Sequence, residues 1–500
     1  MQNQHQLVRQ TAAVLMAFGS IASLLPGFAL SLAASAAEPG SASAAAERPN
    51  IVWIFVEDTN PWMGCYGDKT VPTPNIDSIA ARGVRFDRAY MPAGVCSPTR
   101  SAIALGAMQT SLGVHNHTSS RKRVPEDVIY LPEGVKTVYE LMREAGYYVT
   151  STQGKNDFNF VFRMSDLYDD VVRKNWGFSR DQWAQRPEGK PFFAQIQLAG
   201  DKNTGQYAGA PPGTKGPFTD LSKMQVAPYY PDHPVIRRAY AHHHDTIRQT
   251  DDEVGEILDA LRADGLLENT AVFFFSDHGM RVPRHKQFLY EGGIRVPLIV
   301  AGPGLPSGQV RDDLVSGMDI TVTTLALAGV KRRAWMEGRD LFAPDYEPQE
   351  YVVAARDRCD FTIDRIRAVI TKQFKYIRNF MTDRPLMQPQ YRDGHDYFEV
   401  GRELYKAGKL NAVRSFIWSP TRVPEEFYDL EHDPHETNNL ANDPAHAAEL
   451  ARHRKLLEDW IKATDDKGQY PESIDGLRGV LTLWDKQAVN PEYDKARAAK

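Results

Sequence analysis

Two short runs in this chain carry side chains that do chemistry together. Cys96-Ser97-Pro98-Thr99-Arg100 sets a thiol and a guanidinium four positions apart, and Ser276-Asp277-His278-Gly279 offers a carboxylate beside an imidazole. Glu57-Asp58 adds a second acidic pair. Ser101 to Leu105 reads as helix, so Cys96 falls at a helix N-terminus, where exposed backbone N–H groups and the dipole stabilise an anion. Arg100 lies one turn further along the same face and is placed to hold an oxyanion. Three carboxylates brought together repel one another unless a cation neutralises them. An oxygen-rich set favours Ca²⁺, Mg²⁺ or Mn²⁺, and His278 leaves Mn²⁺ or Zn²⁺ open. One acidic pair alone is ordinary turn chemistry after a strand; two pairs with the Cys96 run between them point to a metal centre. A bare thiolate at position 96 would need an imidazole base, and it is a soft neighbour for a hard cation.

The elements that must position these groups are strands. Residues 50–56 form a continuous β-rich apolar run of the kind buried in a parallel sheet, ending at Glu57-Asp58. Residues 270–275 form another, ending at Asp277-His278. In open α/β sheets ligands collect outside the carboxyl ends of the strands. Further strands are predicted at 84–90, 147–151, 192–198 and 297–301. Helices are predicted at 74–82 (N-cap Thr73, Pro74 first, Gly83 stop), 135–145, 245–263 and 318–328. This alternation implies an α/β fold, a mostly parallel sheet sandwiched by helices. After residue 360 the pattern changes to a hairpin (366–371 with 374–380), a strand at 426–430 and a helix at 445–463. We therefore expect a catalytic domain over 49–360, a smaller C-terminal α+β subdomain with an antiparallel sheet over 361–484, and a loosely ordered tail over 485–500. Residues 201–231, rich in Gly, Pro and Thr, read as a long loop.

A net charge of −5 over 500 residues gives no reason to expect nucleic acid as partner, so an anionic substrate must be met by local Lys and Arg. Residues 1–37 read as a signal peptide, with Arg9, an apolar stretch over 11–32 and Ala34-Ser35-Ala36 as cleavage site; 38–48 is a linker. Export to the periplasm or medium is expected, without stable membrane insertion. Three cysteines, Cys65, Cys96 and Cys359, are too few for a disulfide scaffold. A Cys65–Cys359 bridge is conceivable, but both are read as buried apolar residues.

From 49 to about 440 the chain resembles the Cys-type (type I) sulfatases of the alkaline phosphatase superfamily. The matching stretches include Gly64-Cys65-Tyr66-Gly67, Thr73-Pro74-Asn75-Ile76-Asp77, the Cys96 run, Gly154-Lys155, Ser276-Asp277-His278-Gly279 and Lys286-Gln287-Phe288-Leu289-Tyr290. The resemblance implies an alkaline phosphatase-like fold. It also implies that a formylglycine-generating or sulfatase-maturating enzyme oxidises Cys96 to formylglycine. One hydroxyl of the aldehyde hydrate then attacks sulfur and the other expels sulfate. By motif, Glu57, Asp58, Asp277 and His278 would ligate the metal (Ca²⁺ first, Mg²⁺ or Mn²⁺ as alternatives), and Arg100, Lys155 and Lys286 would contact formylglycine or sulfate.

The chain departs from the family pattern in two places that matter. Gly154-Lys155-Asn156-Asp157 lacks a His common there, and Ala199-Gly200-Asp201-Lys202 lacks another. The acid that protonates the leaving group is therefore open among Asp157, Lys202 and His285, with His285 favoured by its ordinary pKa range. His115 and His117 are expected to line the pocket. Arg356 and Arg358, with Arg365 and Arg367, form a basic cluster that either grips a second anionic group or closes a domain interface. His242-His243-His244 is read as part of a structural helix rather than a metal tract. The variants lie nearest the heparan N-sulfatase-like branch, which implies a sulfated sugar or polysaccharide substrate. The rivals are a phosphonate monoester or phosphodiester hydrolase of the same superfamily and a non-catalytic glycan-binding relic.

Overall fold

The computed structural model describes residues 48–117, 128–152, 156–172, 176–203 and 218–498. The signal-peptide reading and Lys155 fall outside these residues. Eight strands form the main sheet: β1 (Asn50–Val56), β2 (Val84–Tyr90), β3 (Tyr148–Thr152), β4 (Asp170–Val172), β5 (Phe192–Leu198), β6 (Thr270–Ser276), β7 (Leu298–Ala301) and β8 (Gln309–Ser316). Their order is β4-β3-β5-β1-β6-β7-β2-β8, and β7 runs against both its neighbours. β1, the centre, pairs in parallel with β5 and β6, with Val56 level with Leu198 and Ser276. Sequence periodicity missed β4 and β8: β4 spans three residues, and the first half of β8 is an exposed edge without an apolar run.

The unbroken apolar character of β1 has a simple cause. Ile51, Trp53 and Phe55 face one core and Val52, Ile54 and Val56 the other, because both faces of the sheet are covered. The covering helices are α1 (Pro74–Arg82), α2 (Cys96–Leu105), α3 (Val138–Glu144), α4 (Pro234–Ala263) and α5 (Gly317–Leu327). α2, α3 and α5 pack on the Trp53 side through Ile103, Leu141 and Ile320. α1 and α4 pack on the Ile54 side through Ile76, Ile79, Val254 and Ile257. The expected α/β sandwich is therefore observed.

Two local expectations change. α4 begins at Pro234, eleven residues before the predicted start, because Pro234 takes the first helical position and the His233 side chain caps Val235 N–H. That places His242-His243-His244 inside a helix, as expected. Thr73 does not cap α1; the Asp251 carboxylate, reaching across from α4, accepts from Ile76 N–H at 2.8 Å. Burial, outweighing these hydrogen bonds, pushes the Asp251 carboxyl up to about 6.

The second sheet has strands β9 (Val352–Arg356), β10 (Ile366–Ile370), β11 (Phe374–Asn379) and β12 (Glu425–Asp429), all antiparallel, in the order β12-β11-β10-β9. Helix α6 (Ala447–Thr464) packs on it through Leu450 and Leu457. The sheet thus draws in residues that precede the boundary expected at 360. Residues beyond 484 are not loose: helices α7 (Ile474–Trp484) and α8 (Glu492–Ala498) pack together, and Tyr493 hydroxyl donates to Phe361 O at 3.0 Å.

Gly83 ends α1 with φ −144°, which any residue adopts. It is required instead by close approach, since a Cβ there would overlap Val300 O and sit 2.6 Å from Ala301 Cα. Gly83→Ala is expected to cost about 1–3 kcal/mol through overpacking of α1 against β7, read as a lower urea midpoint; an unchanged midpoint would refute the contact.

Candidate active site

Because β1, β5 and β6 end level, three sets of polar residues emerge side by side. They are Glu57-Asp58 after β1, Asp201-Lys202 after β5, and Asp277-His278 after β6. Backbone bonds lock the edge: Asp277 N–H donates to Val56 O at 3.3 Å and Asp201 N–H to Glu57 O at 3.2 Å. Asp58 takes a left-handed backbone (φ 52°), and its N–H donates to Asp277 Oδ1 at 2.9 Å. This turn brings the two aspartates together.

Cys96 is the first residue of α2 and is 1% exposed. Its Sγ lies 3.1 Å from His278 Nε2, 3.3 Å from Lys286 Nζ and 4.0 Å from Lys202 Nζ. Donor atoms of Asp58, Cys96, Asp277 and His278 all fall within 4.8 Å of one another. His278 Nε2 is 3.3 Å from Asp58 Oδ1 and 3.6 Å from Asp277 Oδ2. On its other side, Nδ1 is 3.0 Å from Gly279 O. A carbonyl only accepts, so Nδ1 carries a proton and Nε2 is the ring atom turned to the cluster, the orientation of metal-bound histidines. Asp58 Oδ2 is buried and makes no hydrogen bond among the described residues. A buried carboxylate oxygen of that kind, beside a second carboxylate and an imidazole, suits a divalent cation.

The charges around the cluster balance. Lys286 Nζ donates to Asp58 Oδ1 at 2.7 Å. Arg100 donates to Glu57, to Asp277 Oδ2 at 3.1 Å and to Gln197 Oε1 at 2.7 Å, and its guanidinium lies 4.1 Å above the Phe55 ring. Lys202 Nζ pairs with Glu57 and reaches within 4.0 Å of Asp58. Burial works against all three cations, yet the carboxylates win and each is held more firmly protonated than usual. For Asp58, burial is outweighed by Lys202 and Lys286, which hold its carboxyl far below the usual range. For Asp277, burial and the neighbouring Glu57 charge raise it.

Of the four predicted metal ligands, Asp58, Asp277 and His278 meet at Cys96, while the Glu57 carboxylate is engaged by Arg100 and Lys202. Arg100 is turned to carboxylates. Lys286 and Lys202 both reach residue 96, as do His117 and Asp157, which have donor atoms within 4.8 Å of Cys96 Sγ. His285 is directed elsewhere: it bonds Asn60 Oδ1 at 3.2 Å and Tyr229 hydroxyl at 3.1 Å, in the wall of a cavity of about 830 Å³ that also includes Trp62 and Tyr240. Left-handed backbone at Arg284 (φ 66°) and Gln287 (φ 78°) kinks this segment. His115 lies near Asp357 and Arg367, and burial lowers it. Arg356 pairs with Asp364 at 3.3 Å above the Phe288 ring, and its Nε and Nη1 make no hydrogen bond among the described residues. Arg358 is held by Glu472 at 2.7 Å. Cys65 and Cys359 form no disulfide.

Sequence reasoning missed several neighbours of the site. Gln197 on β5 orients Arg100; its neighbour Asp201, held at about 2 by the His243 bond and Arg281 against burial, anchors His243 and Arg281. The strand-end rule applied to β1 and β6 would have found Asp201. Tyr391 lies flat against His117 (ring centroids 5.9 Å, 14°). The adjacent Arg392 donates to Arg281 O at 2.7 Å and Lys286 O at 2.9 Å, which holds the Tyr391 segment over the Lys286 segment. No motif marks it.

With this geometry in place, the comparisons are specific. The Sulfatase family model matches residues 49–330, and the N-sulphoglucosamine sulphohydrolase C-terminal model matches 278–393. The chain is 32% identical over 489 residues to an ulvan-active sulfatase of Formosa agariphila, covering 89% of this chain and 79% of that one. It is 26% identical over 472 residues to the N-sulphoglucosamine sulphohydrolase of Homo sapiens, covering 84% and 91%. Among solved structures, a 2-O GAG sulfatase shares the fold at a TM-score of 0.63 and 23% identity, over 85% of this chain and 94% of that one. A catalytic-type sheet edge built around Cys96 and a matching family model over more than half of the sequence lead to one assignment: the chain belongs to the sulfatase family.

Proposed function

We propose that the protein removes sulfate from a sulfated sugar or glycan, with Cys96 acting as formylglycine beside a divalent cation held by Asp58, Asp277 and His278. The observation that carries this is the position of residue 96. It starts a ten-residue helix, is buried, and stands 3.1 Å from the Nε2 of His278 and 3.3 Å from the Lys286 ammonium. When present, formylglycine supplies a hydrated aldehyde as nucleophile and the cation supplies Lewis acidity.

The rest of the work falls to this chain's own groups. Lys286 is clamped by Asp58 so that its remaining N–H bonds face residue 96 and any sulfate oxygen there. Lys202 approaches from the β5 side. The N-terminus of α2 adds backbone donors and a positive dipole. The donor set of two carboxylates and one imidazole, with Glu57 close by, supports Ca²⁺, with Mg²⁺ and Mn²⁺ as competing ions. The match of residues 278–393 to the N-sulphoglucosamine sulphohydrolase C-terminal model favours an amino-sugar N-sulfate, and the ulvan-active relative favours an O-sulfated polysaccharide. Arg356 would meet a further anionic group on such a substrate. The pattern over residues 1–37 supports export to the periplasm or medium, with a maturase modifying Cys96 on the way; no described helix is long and apolar enough to cross a membrane.

Mass spectrometry of the Cys96 peptide is expected to show a loss of about 18 Da relative to the thiol, and Cys96→Ala is expected to bring turnover to background. Chelation is expected to abolish activity and one of the three cations to restore it. A sulfate ester, an N-sulfated sugar and a phosphodiester are assayed side by side. A preference for the phosphodiester of about 10²-fold, roughly 2.7 kcal/mol in barrier, would overturn the reading in favour of a phosphodiesterase. Ligand binding without turnover by fully modified protein would mark a glycan-binding relic.

His285 yields a separate expectation. Burial, with His243 and Arg284 adding to it, lowers its pKa to about 3. The folded state therefore binds fewer protons than the unfolded state between pH 3 and the ordinary histidine value of about 6.5, so stability falls as pH drops through that window. His285→Gln is expected to flatten the stability profile there by up to about 1.4 kcal/mol per pH unit. An unaltered slope in chemical unfolding at pH 4 to 6 would show that His285 is not buried as a neutral ring.

A further inference from the structure

The sulfatase reading leaves the leaving group without an assigned proton donor, and the inference here rests on that reading. Lys286 and Lys202 are committed to the Asp58 and Glu57 carboxylates. His278 is turned to the metal cluster, and His285 faces a separate cavity. A different imidazole reaches the reacting residue. A ring nitrogen of His117, a donor atom of Asp157 and Cys96 Sγ all lie within 4.8 Å of one another, and all three residues are buried.

His117 is held with unusual care. Its Nδ1 is 3.3 Å from Asp360 Oδ1, and its backbone bridges in parallel to Cys359. Asp360 has a left-handed backbone (φ 52°) in a tight turn closed by reciprocal Cys359 and Thr362 bonds, each 2.9 Å. Arg358, anchored by Glu472, donates from one nitrogen to His117 O at 3.3 Å and Asp360 O at 2.8 Å, so that one guanidinium fixes both members of the pair. Tyr391, 40% exposed, lies flat on the imidazole on the open side.

We infer that His117 is the acid that protonates the departing sugar oxygen or nitrogen, with Asp360 and Arg358 as its positioning residues. As the bond from sulfur to the sugar breaks, its electron pair stays on the leaving atom, which takes the His117 proton. The imidazole is reset by the proton released when sulfate is expelled, so one water is consumed overall and no oxidant or reductant is required. The groups facing His117 support a charged ring before transfer. Burial opposes the proton, but Cys359 and Asp360 outweigh it and raise His117 well above the ordinary histidine value. Asp157 and Cys96 face it from the active-site side and Tyr391 from the mouth.

The test compares two leaving groups and one spectroscopic property, using the full-length matured protein. In His117→Gln, turnover of a sugar sulfate is expected to fall about 10²–10⁴-fold, the usual worth of a general acid. Turnover of 4-nitrophenyl sulfate, whose leaving phenolate needs no proton, is expected to fall less than about 10-fold. Asp360→Asn is expected to reproduce the split more weakly. Independently of activity, NMR of ring-labelled histidine, with His117 assigned by its loss in His117→Gln, is expected to show it titrating above the ordinary histidine value. In Asp360→Asn the titration is expected to move down. Equal losses on both substrates, or a His117 titration unmoved by Asp360→Asn, would overturn the assignment while leaving the sulfatase reading intact. A wild-type protein with modified Cys96 that turns over neither sulfate would overturn the sulfatase reading and this role with it.

Discussion

Buried charges of one sign gathered at one edge of a sheet must be matched, and that requirement organises the site. The register of β1 with β5 and β6 delivers Glu57, Asp58 and Asp277 to a place where each is buried. Unpaired, any of them would shift its pKa until it was neutral. Arg100, Lys286 and Lys202 oppose that, and each comes from a different part of the chain: the first turns of α2, the kinked segment after β6, and the end of β5. Matching the charges therefore also folds these three segments onto the edge. The residue they surround in common is Cys96.

This accounts for the roles of residues that look alike in sequence. Arg100 sits where a substrate-binding guanidinium would be expected, yet it spends its hydrogen bonds on Glu57, Asp277 and Gln197. Its bidentate, always-charged head is suited to joining two carboxylates from different strands. Lys286 bridges Asp58 and residue 96, a task that suits a compact point charge with several donors. Arg358 resembles Arg356 in sequence but is fully engaged with Glu472 and two backbone carbonyls.

How much of this was legible beforehand follows from the range of the interactions. β1 and β6 announced themselves because strands covered on both faces read as unbroken apolar runs, and strand ends are where α/β proteins place ligands. Cys96 at a helix start was legible because Pro98 and the small residues after it favour helix locally. The cap of α1 was not, since Asp251 lies 175 residues from Ile76 in sequence. His285 and Lys286 are adjacent, but their opposite directions depend on left-handed backbone at Arg284 and Gln287, which neither residue type advertises. Asp360 and Tyr391 matter only because the small sheet and the Arg392 segment carry them to His117, and no local pattern encodes that approach.

The charge balance also bears on which bond the site is built to break. Three carboxylates against three cations leave the edge neutral before any metal is counted. A divalent cation held there would add two positive charges, with Asp157 as a further carboxylate near Cys96. A sulfate ester arrives with one negative charge and leaves as a dianion, so the attraction grows along the reaction path and not on binding alone. Interactions that strengthen toward the transition state are those that accelerate the chemistry. A phosphate monoester, already doubly charged, would draw most of that attraction in the ground state and gain less from it during bond cleavage. Lys286 and Lys202 belong to the same count, since each ammonium helps to keep Asp58 and Glu57 charged, Lys202 together with Arg100 at Glu57.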